Sequence, residues 1–203
     1  MKFFFRSLAL ACSCFLIGQL FIGCGGTATN TAAVQPPAGV NAASPAPPAS
    51  SYPPLNSLVA NAEFEMLDGT KFKPQDRKGN VLLLNLWATW CGPCRAEIPE
   101  LIAINDKYKE SGVQVIGLDV GDGSGKPEDT ETIQKFAEKM KINYELARIP
   151  LNSIRDIAKV TNFDGVPQSL VVDRQGRLRG VFLGGDPKTV NKMKETIETI
   201  LAE

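Results

Sequence analysis

Cys91 and Cys94, within Trp90-Cys91-Gly92-Pro93-Cys94, combine reactive side chains with a tight, defined spacing. Two cysteines so placed can exchange a disulfide with a partner, supply half of a metal site, or close an inert local bridge. The 203-residue chain has no histidine. That removes Cys–His and Ser–His–Asp nucleophile schemes, and with them the commonest zinc ligand. The other three of the five cysteines, Cys12, Cys14 and Cys24, lie in or at the end of an N-terminal apolar segment. A zinc ion would therefore depend on carboxylates, and no metal site is expected. An inert bridge is opposed by placement. Residues 81–86, Val-Leu-Leu-Leu-Asn-Leu, read as a buried strand, and residues 95–108 have helical periodicity. The cysteines thus fall where a strand ends and a helix begins. Unpaired N–H groups and the positive end of the helix dipole favour an anion there, and the thiolate is the attacking species. In such settings a cysteine pKa falls from about 8.5 to roughly 3.5–7.5. Cys91, at the loop edge, is expected to be the exposed nucleophile that forms a mixed disulfide. Cys94, one turn into the helix, is expected to be the more buried thiol that resolves it. Pro93 limits the backbone between them.

The elements that must position this pair follow in order. Residues 64–72 give a hairpin signal, with Asp68-Gly69 between two short alternating runs. Residues 81–86 are too apolar for a half-exposed strand and are expected to be covered on both faces. The next helix contains Pro99, which is expected to kink it. Residues 113–120 read as a second buried strand. A Gly-rich loop follows, then a helix with Ile133, Phe136, Ala137 and Met140 on one face, and another helix over 151–160. Pro167 precedes a strand over 169–173, which turns through Arg174-Gln175-Gly176-Arg177 into an antiparallel partner over 178–183. An amphipathic helix over 187–202 ends the chain. Strand–helix–strand units imply a parallel core with right-handed crossovers, and the last hairpin adds antiparallel strands. The expected class is α/β, a mixed central sheet with helices on both faces. The loop Gly121-Asp122-Gly123-Ser124-Gly125-Lys126 lacks the spacing of a phosphate loop and of a calcium loop. It reads as a flexible surface loop, and no cofactor is expected. Lys+Arg and Asp+Glu balance at 22 each, and no basic patch with interleaved aromatics points to nucleic acid.

The N-terminus reads as an address. A short basic stretch, Met1-Lys2-Phe3-Phe4-Phe5-Arg6, precedes an uncharged apolar run over 7–22 and then Gly23-Cys24-Gly25-Gly26. This has the form of a secretory signal. Phe21-Ile22-Gly23-Cys24 resembles a bacterial lipobox, which implies cleavage before Cys24 and lipid attachment to it. The alternative is an uncleaved anchor, for which about 16 apolar residues are marginal. Both put the folded part outside the cytoplasm, on the periplasmic face of a membrane. Residues 25–61 carry no charge and are rich in Ala, Pro, Ser and Thr. Such a segment buries too little apolar surface to offset its chain entropy. The expected organisation is a lipoprotein-type signal over 1–23, a disordered tether over 24–57, and one domain over 58–203, an ordinary size of about 145 residues.

Residues 85–99, Asn85-Leu86-Trp87-Ala88-Thr89-Trp90-Cys91-Gly92-Pro93-Cys94-Arg95-Ala96-Glu97-Ile98-Pro99, resemble the active-site segment of the thioredoxin superfamily. The closer resemblance is to its membrane-tethered branch, the TlpA/ResA-like thiol-disulfide oxidoreductases, and it covers residues 58–203. It implies a thioredoxin-like three-layer fold with an N-terminal hairpin and an insertion, over 120–143, ahead of a cis-proline. It implies that Pro167 is that proline, facing the cysteines, and that Val166 pairs with an incoming extended peptide. Cys91 and Cys94 become a redox-active disulfide, with Trp90, Gly92, Pro93 and Val166 as its neighbours. Glu97 falls where this branch carries an active-site glutamate able to handle the proton of the resolving thiol. It could equally be a solvated carboxylate that favours the helix dipole. Asn85 stands where thioredoxin has a buried aspartate, which moves interest to Glu97. The Gly-Pro between the cysteines resembles reducing members. The branch further implies a membrane-embedded electron donor and a protein substrate with a disulfide, often apocytochrome c during haem attachment.

Two other functions use the same fold. A thiol peroxidase would carry Thr three residues and Pro seven residues before its nucleophile, where this chain has Ala88 and Leu84. A non-enzymatic lipoprotein binding module needs no cysteine pair, and this chain keeps both.

Overall fold

The computed structural model describes residues 51–203. The signal segment, Cys24 and the tether up to residue 50 lie outside the described residues. A short helix α1 (Ser57–Ala60) leads into the hairpin β1 (Phe64–Met66) and β2 (Lys71–Phe72). Then come β3 (Val81–Trp87), α2 (Gly92–Tyr108), β4 (Val113–Asp119), α3 (Thr130–Met140), β5 (Glu145–Arg148), α4 (Leu151–Thr161), β6 (Gln168–Val172), β7 (Leu178–Leu183) and α5 (Pro187–Ala202). The sheet has seven strands in the order β2-β1-β5-β4-β3-β6-β7. β3, β4 and β5 run parallel. β1 joins β5 antiparallel, and β6 and β7 are antiparallel on the other side.

β3 is central, and every one of its residues is buried. Its side chains alternate between two cores, as a pleated strand requires. Leu82, Leu84 and Leu86 pack with Val59 and Ile157 from α1 and α4. Val81 and Leu83 pack with Leu101 and Ile104 of α2 and Met193, Ile197 and Ile200 of α5. That is the expected mixed sheet with helices on both faces. Each fully buried leucine adds about 2 kcal/mol by leaving water, so this strand anchors the junction where Cys91 stands.

Several expectations shift. The strand β5 adds to the expected elements: its Glu-Leu-Ala-Arg has charged ends, and only Leu146 and Ala147 are buried. Neighbouring strands supply its pairing, which overrides weak local propensity. β5 follows the expected insertion over 120–143, and the helix α3 lies within it. Helix α2 starts at Gly92 and continues through Pro99 to Tyr108 without interruption. Packing also begins upstream of residue 58: Leu55 is buried, its N–H donates to the Gly176 carbonyl, and the Leu178 N–H donates to Pro53. The loop over 121–126 is a closed turn. Asp122 Oδ1 accepts the N–H groups of Ser124 and Lys126, and the Asp122 N–H donates to the Lys126 carbonyl at 2.7 Å. Gly121 takes φ +90°, and a Cβ there would lie 2.3 Å from the Lys126 carbonyl oxygen.

Candidate active site

Cys91 and Cys94 form a disulfide with Cα atoms 5.3 Å apart. Cys91 is the N-cap residue of α2. Its sulfur takes the place that a Ser or Asp oxygen fills at other helix starts, and the Cys94 N–H donates to it at 3.2 Å. One orphan donor of the helix thus points at Cys91 Sγ, at the positive end of the helix dipole, where a thiolate would gain from both. Of the two cysteines Cys94 is the less exposed, at 2 % against 4 %, but both are buried. Cys91 is therefore not the exposed nucleophile expected from its loop-edge position. It packs with Trp87, Ala88, Ile133 and Leu146, with Val166 against the same cluster. Gly92 and Pro93 are exposed, and so is Trp90.

The Val166–Pro167 peptide bond is cis. The Val166 carbonyl oxygen lies 3.8 Å from Cys91 Sγ, so the segment ahead of β6 faces the disulfide. Two contacts fix that segment. Gln168 Nε2 donates to the Gly165 carbonyl at 2.9 Å, and the Gly184 N–H donates to the Pro167 carbonyl at 2.9 Å.

Glu97, one turn after Cys94, is 1 % exposed. A solvated carboxylate is excluded. Its Oε2 accepts from Asn85 Nδ2 at 3.2 Å, and its Oε1 has no partner. Asn85 Nδ2 also donates to Ser169 Oγ at 2.9 Å, across the Asn85–Ser169 pair of β3 and β6. Burial pushes the Glu97 pKa up to about 7, against a smaller lowering by the Asn85 hydrogen bond. Near neutral pH this group can both hold and release a proton, as a general acid–base requires. Gly185 closes the pocket: a Cβ on it would sit 2.9 Å from Glu97 Cβ and 3.3 Å from Pro167 Cγ.

The structure thus brings Cys91, Cys94, Glu97, Val166 and Pro167 to one end of the sheet. Ser169, Gln168 and Gly185 belong to the same site and are absent from the sequence-based expectations. The Gly184-Gly185 pair just after β7 is the available signal, since two adjacent glycines often mark close backbone approach. Among the described residues no group of three or more acidic or cysteine side chains could hold a metal ion. No helix among them is long and apolar enough to cross a membrane.

The redoxin family model matches residues 42–201. The thiol-disulfide oxidoreductase ResA of Bacillus thuringiensis subsp. konkukian is 30% identical over 134 residues, covering 66% of this chain and 71% of the relative. The ResA of a Bacillus cereus strain is 29% identical over 123 residues, covering 60% of this chain and 65% of the relative. The chain thus spans about two thirds of the length of these relatives. A putative thiol:disulfide interchange protein DsbE from Chlorobium tepidum superposes with a TM-score of 0.60 at 24% identity, covering 74% of this chain and 96% of its own. DsbF of MTB does so at 0.56 and 17%, covering 72% and 99%. These two likenesses concern the fold. With the cysteine pair, the cis-proline and the buried glutamate already at one end of such a sheet, the chain belongs to the redoxin family, on the TlpA/ResA-like branch of the thioredoxin superfamily.

Proposed function

We propose that this protein is an extracytoplasmic, membrane-tethered thiol-disulfide oxidoreductase that reduces protein disulfides, in the manner of cytochrome c maturation. The observation that carries the reading is the capping of α2 by Cys91 Sγ directly opposite Val166, with Glu97 buried one turn beyond Cys94. In the reduced state the Cys91 thiolate attacks one sulfur of the substrate disulfide. A mixed disulfide forms, and the first substrate sulfur leaves as a thiolate that takes a proton from water. Glu97, as carboxylate, accepts the proton of Cys94. The Cys94 thiolate then attacks Cys91 Sγ, the mixed disulfide breaks, and the second substrate sulfur leaves and is protonated from Glu97. The substrate gains two electrons and two protons, and the Cys91–Cys94 disulfide described here is the product. Val166, half-exposed beside Cys91, offers backbone to an extended peptide.

The N-terminal sequence supports the location: a signal-like segment ends at Cys24, the proposed lipid attachment site, and an uncharged tether follows. Outside the cytoplasm a dithiol stays reduced only with a dedicated supply of electrons. A membrane-embedded donor fills that role, and a protein such as apocytochrome c is the acceptor. Reduced protein is expected to cleave the interchain disulfides of insulin, and Cys91→Ser to abolish this. Undiminished turnover by the Cys91→Ser variant would overturn the reading.

A further inference from the structure

Two carboxylates beside the redox pair take no part in the exchange above. Asp119 ends β4 and is 2 % exposed. Its Oδ1 accepts the Gly121 N–H at 3.0 Å, and its Oδ2 has no partner. Glu128, in the segment leading to α3, is 9 % exposed. Its Oε1 accepts from Thr89 Oγ1 at 2.6 Å, and its Oε2 has no partner. Thr89 and Trp90 are the two residues before Cys91. Trp90 Nε1 donates to the Gly121 carbonyl at 2.9 Å, so each acid holds one of the two. Glu128 holds Thr89 directly, and Asp119 holds Trp90 through Gly121. On the other side Arg95 Nε donates to the Thr89 carbonyl at 3.0 Å, with its guanidinium over the Phe136 ring of α3.

An anchor alone does not require an acid. A buried carboxylate with an open oxygen is costly, and a second one facing it costs more. Asn and Gln would supply the same acceptors without charge.

We propose that Asp119 and Glu128 are positioning residues that clamp Thr89-Trp90, set the rim beside Cys91, and release it when Asp119 loses its proton. The consequence for the reaction rests on Cys91 being the attacking thiol. The charged groups facing Asp119 are Glu128 and Arg148, the latter paired with Glu65 of β1. Glu128 faces Asp119 and, through Thr89, Arg95. Burial is the largest influence on Asp119, Glu128 adds to it, and the Gly121 N–H and Arg148 oppose both, leaving its pKa at about 7. Below that pH Asp119 keeps its proton. Above it, Asp119 is a buried anion with an unpartnered oxygen, opposed by the charge of Glu128 beside it.

The test uses Trp90 fluorescence in the oxidised protein carrying Trp87→Phe. That change leaves Trp90 as the sole tryptophan and removes a buried N–H that has no partner. Acrylamide quenching is measured at about pH 5.5 and about pH 8.5, either side of the Asp119 transition. Quenching is expected to rise at the higher pH, and Asp119→Asn to abolish the rise. Glu128→Ala is expected to raise the open population about tenfold at the lower pH, as loss of a hydrogen bond to a carboxylate does. Glu128→Gln is expected to hold quenching at both pH values at the parent's lower-pH level. Should Glu128→Ala fail to fold, Thr89→Val removes the same hydrogen bond and is expected to raise quenching likewise. Quenching that is insensitive to pH in the parent, or unchanged when the Thr89 contact is removed, would overturn the proposal. If the exchange reading alone were wrong, insulin would stay intact while these quenching differences persisted.

Discussion

Glu97→Gln separates the proton-holding role of Glu97 from its packing. The two side chains have nearly the same shape, and Gln keeps an oxygen able to accept from Asn85 Nδ2. Only the charge is lost. Burial raises the Glu97 pKa from 4.5 to about 7, so the folded protein binds a proton that the unfolded chain gives up. The sign follows from linkage. Stability from this group is complete below about 4.5 and falls as pH rises through about 7, because the native state binds more protons across that window. The difference of about 2.5 pH units, at ~1.36 kcal/mol each, amounts to about 3 kcal/mol. Because Glu97 is 1 % exposed, solvent screening does little to reduce it. Asp119 titrates over the same range, but it is present in both proteins and cancels in the comparison. The assay is guanidinium unfolding of the oxidised protein and of oxidised Glu97→Gln, from about pH 4 to about pH 8.5. The variant is expected to gain on the parent with rising pH, ending about 3 kcal/mol better placed relative to its acid-side value. Stability curves that stay parallel across that range would refute the buried, proton-holding glutamate.

Further outcomes bear on the same site. Cys94→Ala is expected to accumulate mixed disulfides through Cys91, visible as reductant-sensitive bands, because the resolving thiolate is gone. Glu97→Gln is expected to slow resolution of that mixed disulfide by about 10²-fold at neutral pH, the usual contribution of a positioned acid–base, as followed by single-turnover insulin reduction. Gly185→Ala places a Cβ 2.9 Å from Glu97 Cβ. It is expected to cost about 1–3 kcal/mol in chemical unfolding, the range of core overpacking. Ser169→Ala leaves Asn85 Nδ2 with Glu97 as its remaining partner and is expected to cost about 1 kcal/mol in the same measurement.

The redox pair and its helix are legible because strand burial, helix capping and cysteine spacing are local signals. Residues 81–86 of β3 can be read from hydrophobicity alone, and the chemistry of Cys91 follows from where that run stops. Glu97 is legible as a position but not as an environment. Whether a carboxylate in the second turn of α2 is solvated or buried depends on Gly185, packed between it and Pro167, and on Ser169, which shares Asn85 with it, all more than 65 residues away in sequence. The same holds for Cys91. Its place at the end of a loop suggests exposure, yet Ile133 and Leu146 from the insertion pack in its cluster. The strand β5 escapes a sequence reading because two buried residues between a Glu and an Arg carry no period-two pattern. Its existence is decided by β4 and β1 on either side. The glycines of the turn over 121–126 suggest mobility. The Asp122 side chain that closes it and the Trp90 indole that rests on it are contacts a composition argument does not see.

The most direct test of the central claim is the equilibrium reduction potential of the Cys91–Cys94 pair, read by redox titration against glutathione and dithiothreitol buffers. A protein that reduces disulfides outside the cytoplasm is expected to lie well below about −200 mV, whereas a value near about −120 mV, that of a dedicated oxidant, would contradict the proposed direction of electron flow.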